Sequence, residues 1–346
     1  MTQPLLGIVA TVIAMVVSLG FVSLFDLGTL LGPVTFFTLC LIPMQVVIAV
    51  TWGANPPFAA RLAQPTKGLV LTLVTVVAAL LLSPLLLRLV GEGVSPPGPI
   101  PSQFAVIAVP LTFWLAIMMG GWPFTSLTKQ PVVAGLLVLL GAYVVTYVLF
   151  RVCFNYGFLE GTPVYLASAP QGLFNGVMAL VFIVTALAVM FLVLHFDLWP
   201  LTTAPALMKQ PILGAVWTVI AAAGAYVATS IGIGVLGMDP MVFLTRVTVP
   251  FIFGTIVVLN MLQNSLFATL SQPTKGAANA AAAAVIGVAL ANLYGAVAPV
   301  VSGALPSGGP GYEYELWLAN ALLSVTFPCL IFLAACFNYW PLPVKK

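Results

Sequence analysis

Charged side chains are scarce in this chain. Of its 346 residues, 10 are Lys or Arg and 7 are Asp or Glu, so 5% are charged while 62% are hydrophobic. A soluble globular domain carries about 25% charged residues. A chain of this composition cannot cover its surface with water-binding groups, and a soluble protein is therefore excluded.

Groups that bind metals or cofactors are also scarce. His195 is the single histidine, which excludes a bis-histidine haem and a histidine-rich zinc or copper centre within the chain. Four cysteines without obvious partners do not form a disulfide framework. P-loop, GxSxG and HExxH patterns are missing, as is a basic patch with interleaved aromatics. We therefore predict no catalytic residue, no cofactor, no metal and no nucleic-acid partner.

Long uncharged hydrophobic runs follow one another along the chain. A transmembrane helix needs about 20 mostly apolar residues. The first run lacks the basic start and the cleavage site of a secretory signal, so we expect it to remain as a span. The sequence predicts an all-α polytopic membrane protein, a single transmembrane domain over 1–346 with ten spans at about 4–25, 29–52, 67–90, 104–122, 132–151, 173–198, 212–236, 241–263, 276–298 and 316–339.

The few basic residues are unevenly divided between the two ends of the spans. Three of them lie toward the ends of spans that face away from the termini: Arg88, Arg151 and Arg246. The other seven lie on the side of the termini: Arg61, Lys67, Lys129, Lys209, Lys275, Lys345 and Lys346. The positive-inside rule then predicts cytoplasmic N- and C-termini, in a membrane that we expect to be the bacterial inner membrane.

A Gln-Pro pair recurs five times, followed within a few residues by Gly. The pairs stand at 3–4, 64–65, 130–131, 210–211 and 272–273, each time just before an odd-numbered span. Proline suits the first turn of a helix because its missing N–H would be unpaired there. The spacing predicts five tandem two-helix hairpins, at about 1–58, 62–124, 128–201, 208–266 and 270–346.

Five hairpins of equal orientation predict a pseudo-five-fold arrangement about an axis normal to the membrane. The odd spans are rich in Gly and Ala, as in 276–296, so we expect them to lie inside, next to the axis. The even spans carry mid-span prolines, which remove a backbone hydrogen bond and kink a helix. These prolines are candidate kink or gate positions: Pro43, Pro110, Pro250 and Pro328.

Ten spans in five hairpins resemble the architecture of the SLAC1/TehA family of anion channels. The likeness is one of span count and pseudosymmetry along the whole chain, and no motif matches residue by residue. The resemblance implies a central pore.

Arg246 is the charge that lies deepest in a predicted span. Asp239 and Pro240 have the residue types of a helix start, which puts Arg246 about 10 Å into span 8. An ionisable group at that depth marks a transport path, or else it reaches back to the interface or pairs with Asp239.

The other candidate residues are neutral amides and the two remaining arginines on the far side. Asparagines in a span either line a polar path or bond across helices, and the candidates are Asn260, Asn279 and Asn292. Arg88 and Arg151 could form a vestibule that attracts anions at the far face, while pairing of Arg88 with Glu92 is the local alternative.

Three functional classes follow from these observations. The first is a channel or passive permease for a small anion or neutral solute along an axial path. The second is a non-catalytic integral-membrane subunit of a larger complex that binds lipid or quinone, and the third is an intramembrane enzyme. Membrane lipids are the expected partners, and both a homo-oligomer and a membrane-complex partner are left open. A wet polar stripe inside would favour transport, whereas an axis filled by Leu, Phe and Val beside a large lateral groove would favour the subunit.

Overall fold

The structure is a computed structural model that describes residues 1–344. All ten predicted spans are present as helices long and apolar enough to cross a membrane. The chain thus has an all-α membrane fold, with one short parallel pair of strands, Phe154–Asn155 and Phe174–Asn175, between spans 5 and 6. Spans 1 to 10 are Leu5–Val22, Leu27–Thr51, Thr66–Val90, Pro99–Met118, Pro131–Cys153, Gly176–His195, Ile212–Val235, Pro240–Met261, Thr274–Ser302 and Glu313–Cys336.

The helix ends differ from the predicted ends where hydrophobicity is a poor guide. Span 4 begins at Pro99, within a Pro-rich stretch that reads as a loop, because proline is accepted in a first turn. Span 10 begins at Glu313, and Glu313 and Glu315 occupy its first turn. Carboxylates are favourable at a helix N-terminus, so charged residues extend this helix beyond its apolar run.

The even spans form the interior, which contradicts the expectation that the odd spans would. In the most apolar window of each span, 50–72% of the residues are buried in the even spans and 22–44% in the odd spans. Neighbouring even spans contact one another in the pairs 2 and 4, 4 and 6, 6 and 8, 8 and 10, and 10 and 2. Each odd span packs chiefly against two neighbouring even spans. Span 1 packs against spans 8 and 10, span 3 against spans 10 and 2, span 5 against spans 2 and 4, span 7 against spans 4 and 6, and span 9 against spans 6 and 8.

The small residues that suggested an inner position make a contact on the outside of the even spans instead. A Cβ at Gly287 of span 9 would lie 1.9 Å from the carbonyl oxygen of Pro250, and a Cβ at Gly254 of span 8 would lie 1.9 Å from that of Ala283. Span 9 buries a single stripe that includes Gly276, Ala283 and Gly287, and its other faces are open. Small residues allow two helices to approach closely, but they do not say which side of the bundle the contact is on.

The Gln residues of the Gln-Pro pairs connect the odd spans to the even spans. In four of the five copies, the side-chain oxygen accepts a hydrogen bond from the N–H four residues later, at 3.0–3.2 Å, and that residue is always Gly. The side-chain nitrogen donates to a carbonyl at the end of an even span, at 2.8–3.2 Å. We call each of these double contacts a Gln latch: Gln3 to Met261, Gln64 to Cys336, Gln210 to Met118 and Gln272 to His195.

The Gln latch explains the Gly that follows each pair. At Gly7, a Cβ would lie 2.1 Å from the carbonyl oxygen of Met261, the same oxygen that Gln3 binds. The fifth copy has Ala134 four residues after Gln130, and here the connection is different. The indole of Trp52 donates to the carbonyl of Pro131 at 2.9 Å, and Gly135 makes room for that indole.

Short π-helical segments interrupt the even spans near the prolines. Leu244–Thr248 and Asn320–Thr326 are π-helical and directly precede the α-helical segments that hold Pro250 and Pro328. A proline cannot donate to the carbonyl one turn back and its ring crowds that carbonyl, so a wider turn relieves the clash. The distortion of these two spans thus follows from their prolines, and a role of the four prolines in gating stays a prediction.

The Gln latch predicts a difference between two equivalent Gln residues. Gln210→Ala removes both hydrogen bonds of a latch and should lower the free energy of unfolding by about 1–3 kcal/mol, since each bond contributes about 1 kcal/mol. Gln130→Ala is the matched control, because the Gln130 side chain makes no such bond within residues 1–344, and it should be close to neutral. Denaturation of the two purified variants in detergent measures the difference, and equal stabilities would disprove the role of the latch.

The contact of spans 8 and 9 predicts a second pair of outcomes. Gly287→Ala forces a methyl group into the backbone of span 8 and should destabilise the protein by about 1–3 kcal/mol or more. Gly20→Ala in span 1 meets nothing within 4 Å and should be neutral or slightly stabilising. Thermal denaturation of both variants provides the test, and a neutral Gly287→Ala would show that this contact is not close.

Candidate functional site

Two cavities lie one above the other between the five even spans. The first, which we call the apolar central cavity, has a volume of about 50 Å³. All its lining residues are apolar, and every even span contributes at least one, for example Ile42, Val109, Leu187, Ile252 and Leu323. A surface of this kind offers no group that could replace the hydration of a solute.

A belt of large side chains separates this cavity from the second one. Phe113 of span 4, Phe191 of span 6, Ile256 of span 8 and Phe327 of span 10 line both cavities, and all four are buried. The ring of Phe113 meets that of Phe191 edge to face at 5.3 Å and lies 6.2 Å from that of Phe327. These four residues, which we call the aromatic belt, lie between the two cavities.

The second cavity, the polar central cavity, lies toward the ends of the even spans on the side of the termini and has a volume of about 110 Å³. A buried water needs roughly 10–15 Å³ of such space, so several waters or a small solute would fit. Its polar lining consists of Gln45, Thr255 and Asn260. Asn260 is exposed, whereas Gln45 and Thr255 are fully buried.

Gln45 carries an unused acceptor beside this cavity. Its side-chain nitrogen donates to the carbonyl of Pro328 at 3.1 Å, and its side-chain oxygen has no hydrogen-bond partner within residues 1–344. An unpaired buried carbonyl destabilises the fold by about 1–3 kcal/mol. A small rotation of the Gln45 amide would let this oxygen accept a hydrogen bond from a donor in the cavity, such as a water or the N–H or O–H of a solute.

His195 lies next to the polar central cavity, in contact with one of its lining residues. It is fully buried, and its Nε2 is 3.0 Å from the hydroxyl oxygen of Thr255. Its Nδ1 has no partner among the described residues. The nearby Asp197 lies at the surface, with its side chain 51% exposed.

Asp197 forms a polar cluster at the membrane surface on the side of the termini. Lys275 and Gln272 donate to its Oδ2 at 3.1 Å and 2.8 Å, and Lys275–Asp197 is the one salt bridge within residues 1–344. Partial burial raises the pKa of Asp197, but the hydrogen bonds from Gln272 and Lys275 and the charge of Lys275 outweigh it and lower the pKa. The cluster connects span 9 to the end of span 6 beside the Gln272 latch.

The structure separates the four residues that the sequence analysis assigns to a transport path. Asn260 lines the polar central cavity, whereas Arg246 and Asn292 line a different cavity on the far side. Asn279 is fully buried in span 9, with its amide 3.5 Å from the Asn264 side-chain oxygen. Neither central cavity is lined by Arg246, Asn279 or Asn292, and a transport role for them stays a prediction.

Arg88 and Arg151 are both exposed on the far side, and the loop between spans 5 and 6 engages one of them. Arg151 donates to the carbonyl of Ser168 at 2.7 Å, while Glu92 accepts the N–H of Ser168 at 2.7 Å. This hydrogen bond lowers the pKa of Glu92. Pairing of Arg88 with Glu92 does not occur, because Glu92 holds the loop instead. A vestibule role for Arg88 and Arg151 stays a prediction.

A lateral groove opens on the outside of the bundle between spans 5, 6 and 7. Its volume is about 700 Å³, and it is lined mostly by apolar side chains, among them Leu149, Met178, Phe182 and Ile233. Tyr226 and Phe174 on its rim are exposed. Since this face of the bundle is apolar and open, the groove suits a hydrocarbon chain better than a hydrated solute.

The candidate site contains residues that the sequence does not single out. Gln45 is visible as one of the few polar mid-span residues, but nothing in the sequence distinguishes it from Gln or Asn residues that bond across helices. The three phenylalanines of the aromatic belt cannot be distinguished in the sequence from the others, because the chain has 22 phenylalanines. Prolines stand beside this region: Pro110 lines the apolar central cavity, and the carbonyl of Pro328 binds Gln45.

Comparison with known proteins and a search for metal-binding groups among residues 1–344 do not identify a function. Family models, curated proteins and solved structures give no match to this chain. Within residues 1–344, no group of three or more His, Cys, Asp or Glu side chains is placed to hold a metal ion. The cavities are therefore the features of the structure that bear on function.

The two central cavities predict different access to water. In a variant whose four cysteines are replaced by alanine, Asn260→Cys should react with a membrane-impermeant thiol reagent added on the side of the termini. Ile252→Cys, two turns earlier on the same span, should stay unreactive because it lies beyond the aromatic belt in the apolar central cavity. Rapid labelling of Ile252→Cys would show an open water path, and protection of Asn260→Cys would show that the polar central cavity is sealed.

Proposed function

We propose that the protein is a membrane channel or passive permease for a small solute, with its path between the five even spans. The observation that carries this proposal is the pair of central cavities, each lined by all five even spans and separated by the aromatic belt. A path that is polar at one end and narrowed by apolar side chains further in has the organisation of a pore with a hydrophobic gate.

The helix contacts support a closed ring of five hairpins. Each even span contacts the next one, and the contact of span 10 with span 2 closes the circle. The Gln latches join span 1 to span 8, span 3 to span 10, span 7 to span 4 and span 9 to span 6. Around the ring, each latch thus connects a hairpin to the second hairpin before it. Trp52 makes the fifth connection, from span 2 to span 5. We propose that the five hairpins are repeats around a pseudo-five-fold axis.

The chemistry of the lining narrows the solute class. No charged residue lines either central cavity, and the unused group is the acceptor oxygen of Gln45. An acceptor repels an anion and binds a hydrogen-bond donor. A small neutral solute with N–H or O–H groups therefore fits the polar central cavity better than an anion does.

The basic residues support the orientation of the path. Arg61 and Lys67 are among the seven cationic residues near the termini, against three at the opposite ends of the spans. We propose cytoplasmic termini in a bacterial inner membrane, so that the polar central cavity opens to the cytoplasm.

A second candidate function is supported by the lateral groove. A non-catalytic membrane subunit that binds lipid or quinone needs an apolar groove open to the bilayer, and the groove of about 700 Å³ between spans 5, 6 and 7 meets that need. The apolar filling of the central path near the aromatic belt, beside this large groove, also favours such a subunit, whereas the polar central cavity favours transport.

Flux measurements on belt variants test the channel proposal. Phe113→Ala removes the ring that contacts both Phe191 and Phe327, and it should raise the flux of urea or glycerol into proteoliposomes several-fold over wild type. Chloride flux should rise less, because the polar central cavity offers an acceptor.

The matched control is Phe253→Ala, which removes a fully buried ring of span 8 that lines neither central cavity. Both substitutions should destabilise the protein by about 3–5 kcal/mol. A rise in flux for both variants would indicate leakage through a loosened bundle. No flux through folded Phe113→Ala would contradict the channel and favour the lipid- or quinone-binding subunit.

A further inference from the structure

Arg246 carries a charge that the described part of the protein leaves uncompensated. It lies in span 8, seven residues after the cap Asp239, or about 10 Å along the helix. Its side chain is exposed, and within residues 1–344 it takes part in no salt bridge. A guanidinium at the edge of a hydrocarbon region is unfavourable by several kcal/mol unless it reaches an anion or water.

Three acidic residues lie at the starts of spans 8 and 10: Asp239, Glu313 and Glu315. Glu313 forms no salt bridge with Arg246, and the other two are hydrogen-bonded elsewhere. One oxygen of Asp239 accepts the N–H groups of Met241 and Val242, and the other accepts the hydroxyl of Tyr312 at 2.7 Å. Glu315 is fully buried and binds the hydroxyl of Ser307 and the N–H of Gly308. Arg246 therefore has no counter-charge among residues 1–344 and is free to pair with an anion from another molecule.

Arg246 lines a cavity of about 130 Å³ between spans 8, 9 and 10. Asn292 and Tyr314 line the same cavity, so three residues whose side chains carry donor groups share one space. Thr245 also lines it, but its hydroxyl donates to the carbonyl of Met241 at 2.8 Å. The cavity therefore combines one full positive charge with two neutral donors, which is the pattern of a phosphate site.

The position of the cavity identifies the source of the phosphate. Tyr314 lies in the first turn of span 10, so the cavity is close to the membrane surface opposite the termini. Apolar side chains continue from it: Val288 and Leu318 line its wall, and Leu293 is exposed on span 9. A ligand with a phosphate at one end and hydrocarbon at the other matches this sequence of surfaces.

We propose that this cavity is a binding site for the phosphodiester headgroup of an anionic membrane lipid in the leaflet opposite the termini. Arg246 pairs with the phosphate, Asn292 and Tyr314 donate hydrogen bonds to it, and an acyl chain lies along spans 9 and 10. The site is separate from the central cavities, so this proposal holds whether or not the protein conducts a solute.

Binding of phosphatidylglycerol to the full-length protein in detergent tests the site. The fraction of protein with bound lipid is measured by native mass spectrometry for wild type and Arg246→Gln. Losing a charge-assisted contact should weaken binding about tenfold or more. Arg88→Gln is the matched control, because Arg88 is an exposed arginine of the same side that does not line this cavity, and it should bind as wild type does.

Additional arms separate the possible ligands. Phosphatidylcholine should bind more weakly than phosphatidylglycerol, since its own cation competes with Arg246. Inorganic phosphate should not displace the lipid, and displacement at millimolar phosphate would overturn the lipid assignment in favour of a site for free phosphate. Equal binding by wild type and Arg246→Gln, or equal losses in Arg246→Gln and Arg88→Gln, would overturn the proposed site.

A milder variant covers the case in which Arg246→Gln does not fold. Tyr314→Phe removes only the hydroxyl, and it should weaken phosphatidylglycerol binding a few-fold while the melting temperature without lipid stays at the wild-type value. Unchanged lipid binding in this variant would contradict the part assigned to Tyr314 and, with an unfolded Arg246→Gln, would count against the site.

Discussion

The bundle depends on how unpaired backbone groups at the ends of its helices are satisfied. The first N–H groups and the last carbonyls of every helix lack partners within that helix, and hydrocarbon offers none. A Gln latch satisfies one N–H and one carbonyl with a single side chain. Its oxygen accepts a hydrogen bond from an N–H of an odd span, and its nitrogen donates to a carbonyl of an even span. The latch also requires close approach, which is why Gly stands four residues after the Gln. Sequence motif, helix contact and bundle order therefore have one physical cause.

The latches and the small-residue contacts place the odd spans around the even ones, and this leaves the even spans to enclose the central space. Gly254 and Gly287 bring spans 8 and 9 into backbone contact, so span 9 uses its small residues against the outside of span 8. Of the even-span prolines, Pro110 lines the apolar central cavity, whereas Pro250 lines the cavity of Arg246. Distorted helices also leave backbone carbonyls free to bind side chains. One such carbonyl, that of Pro328, is bound by Gln45.

Polar groups in this protein are few, and each has a distinct environment. Gln45 and Thr255 are enclosed at the polar central cavity, Asp197 with Lys275 marks one membrane surface, and Arg246 lies near the other. A neutral acceptor inside and a free cation outside have opposite preferences for ligands. This contrast is the basis of our proposals of a neutral solute for the central space and of a lipid phosphate for the cavity of Arg246.

Much of the architecture follows from the sequence alone, because hydrophobicity and length are local properties. The ten spans, the cap formed by Asp239 and Pro240, and the start of odd spans at Gln-Pro were all predictable, and the structure confirms them. The candidate site was predictable only in part, through Asn260. Lipid and protein interior are equally apolar, so a hydrophobic pattern does not tell an inner helix from an outer one. Only the tertiary structure decided that the even spans lie inside, that Phe113, Phe191 and Phe327 meet, and that Arg246 lies away from the centre, because these depend on contacts between residues far apart in the chain.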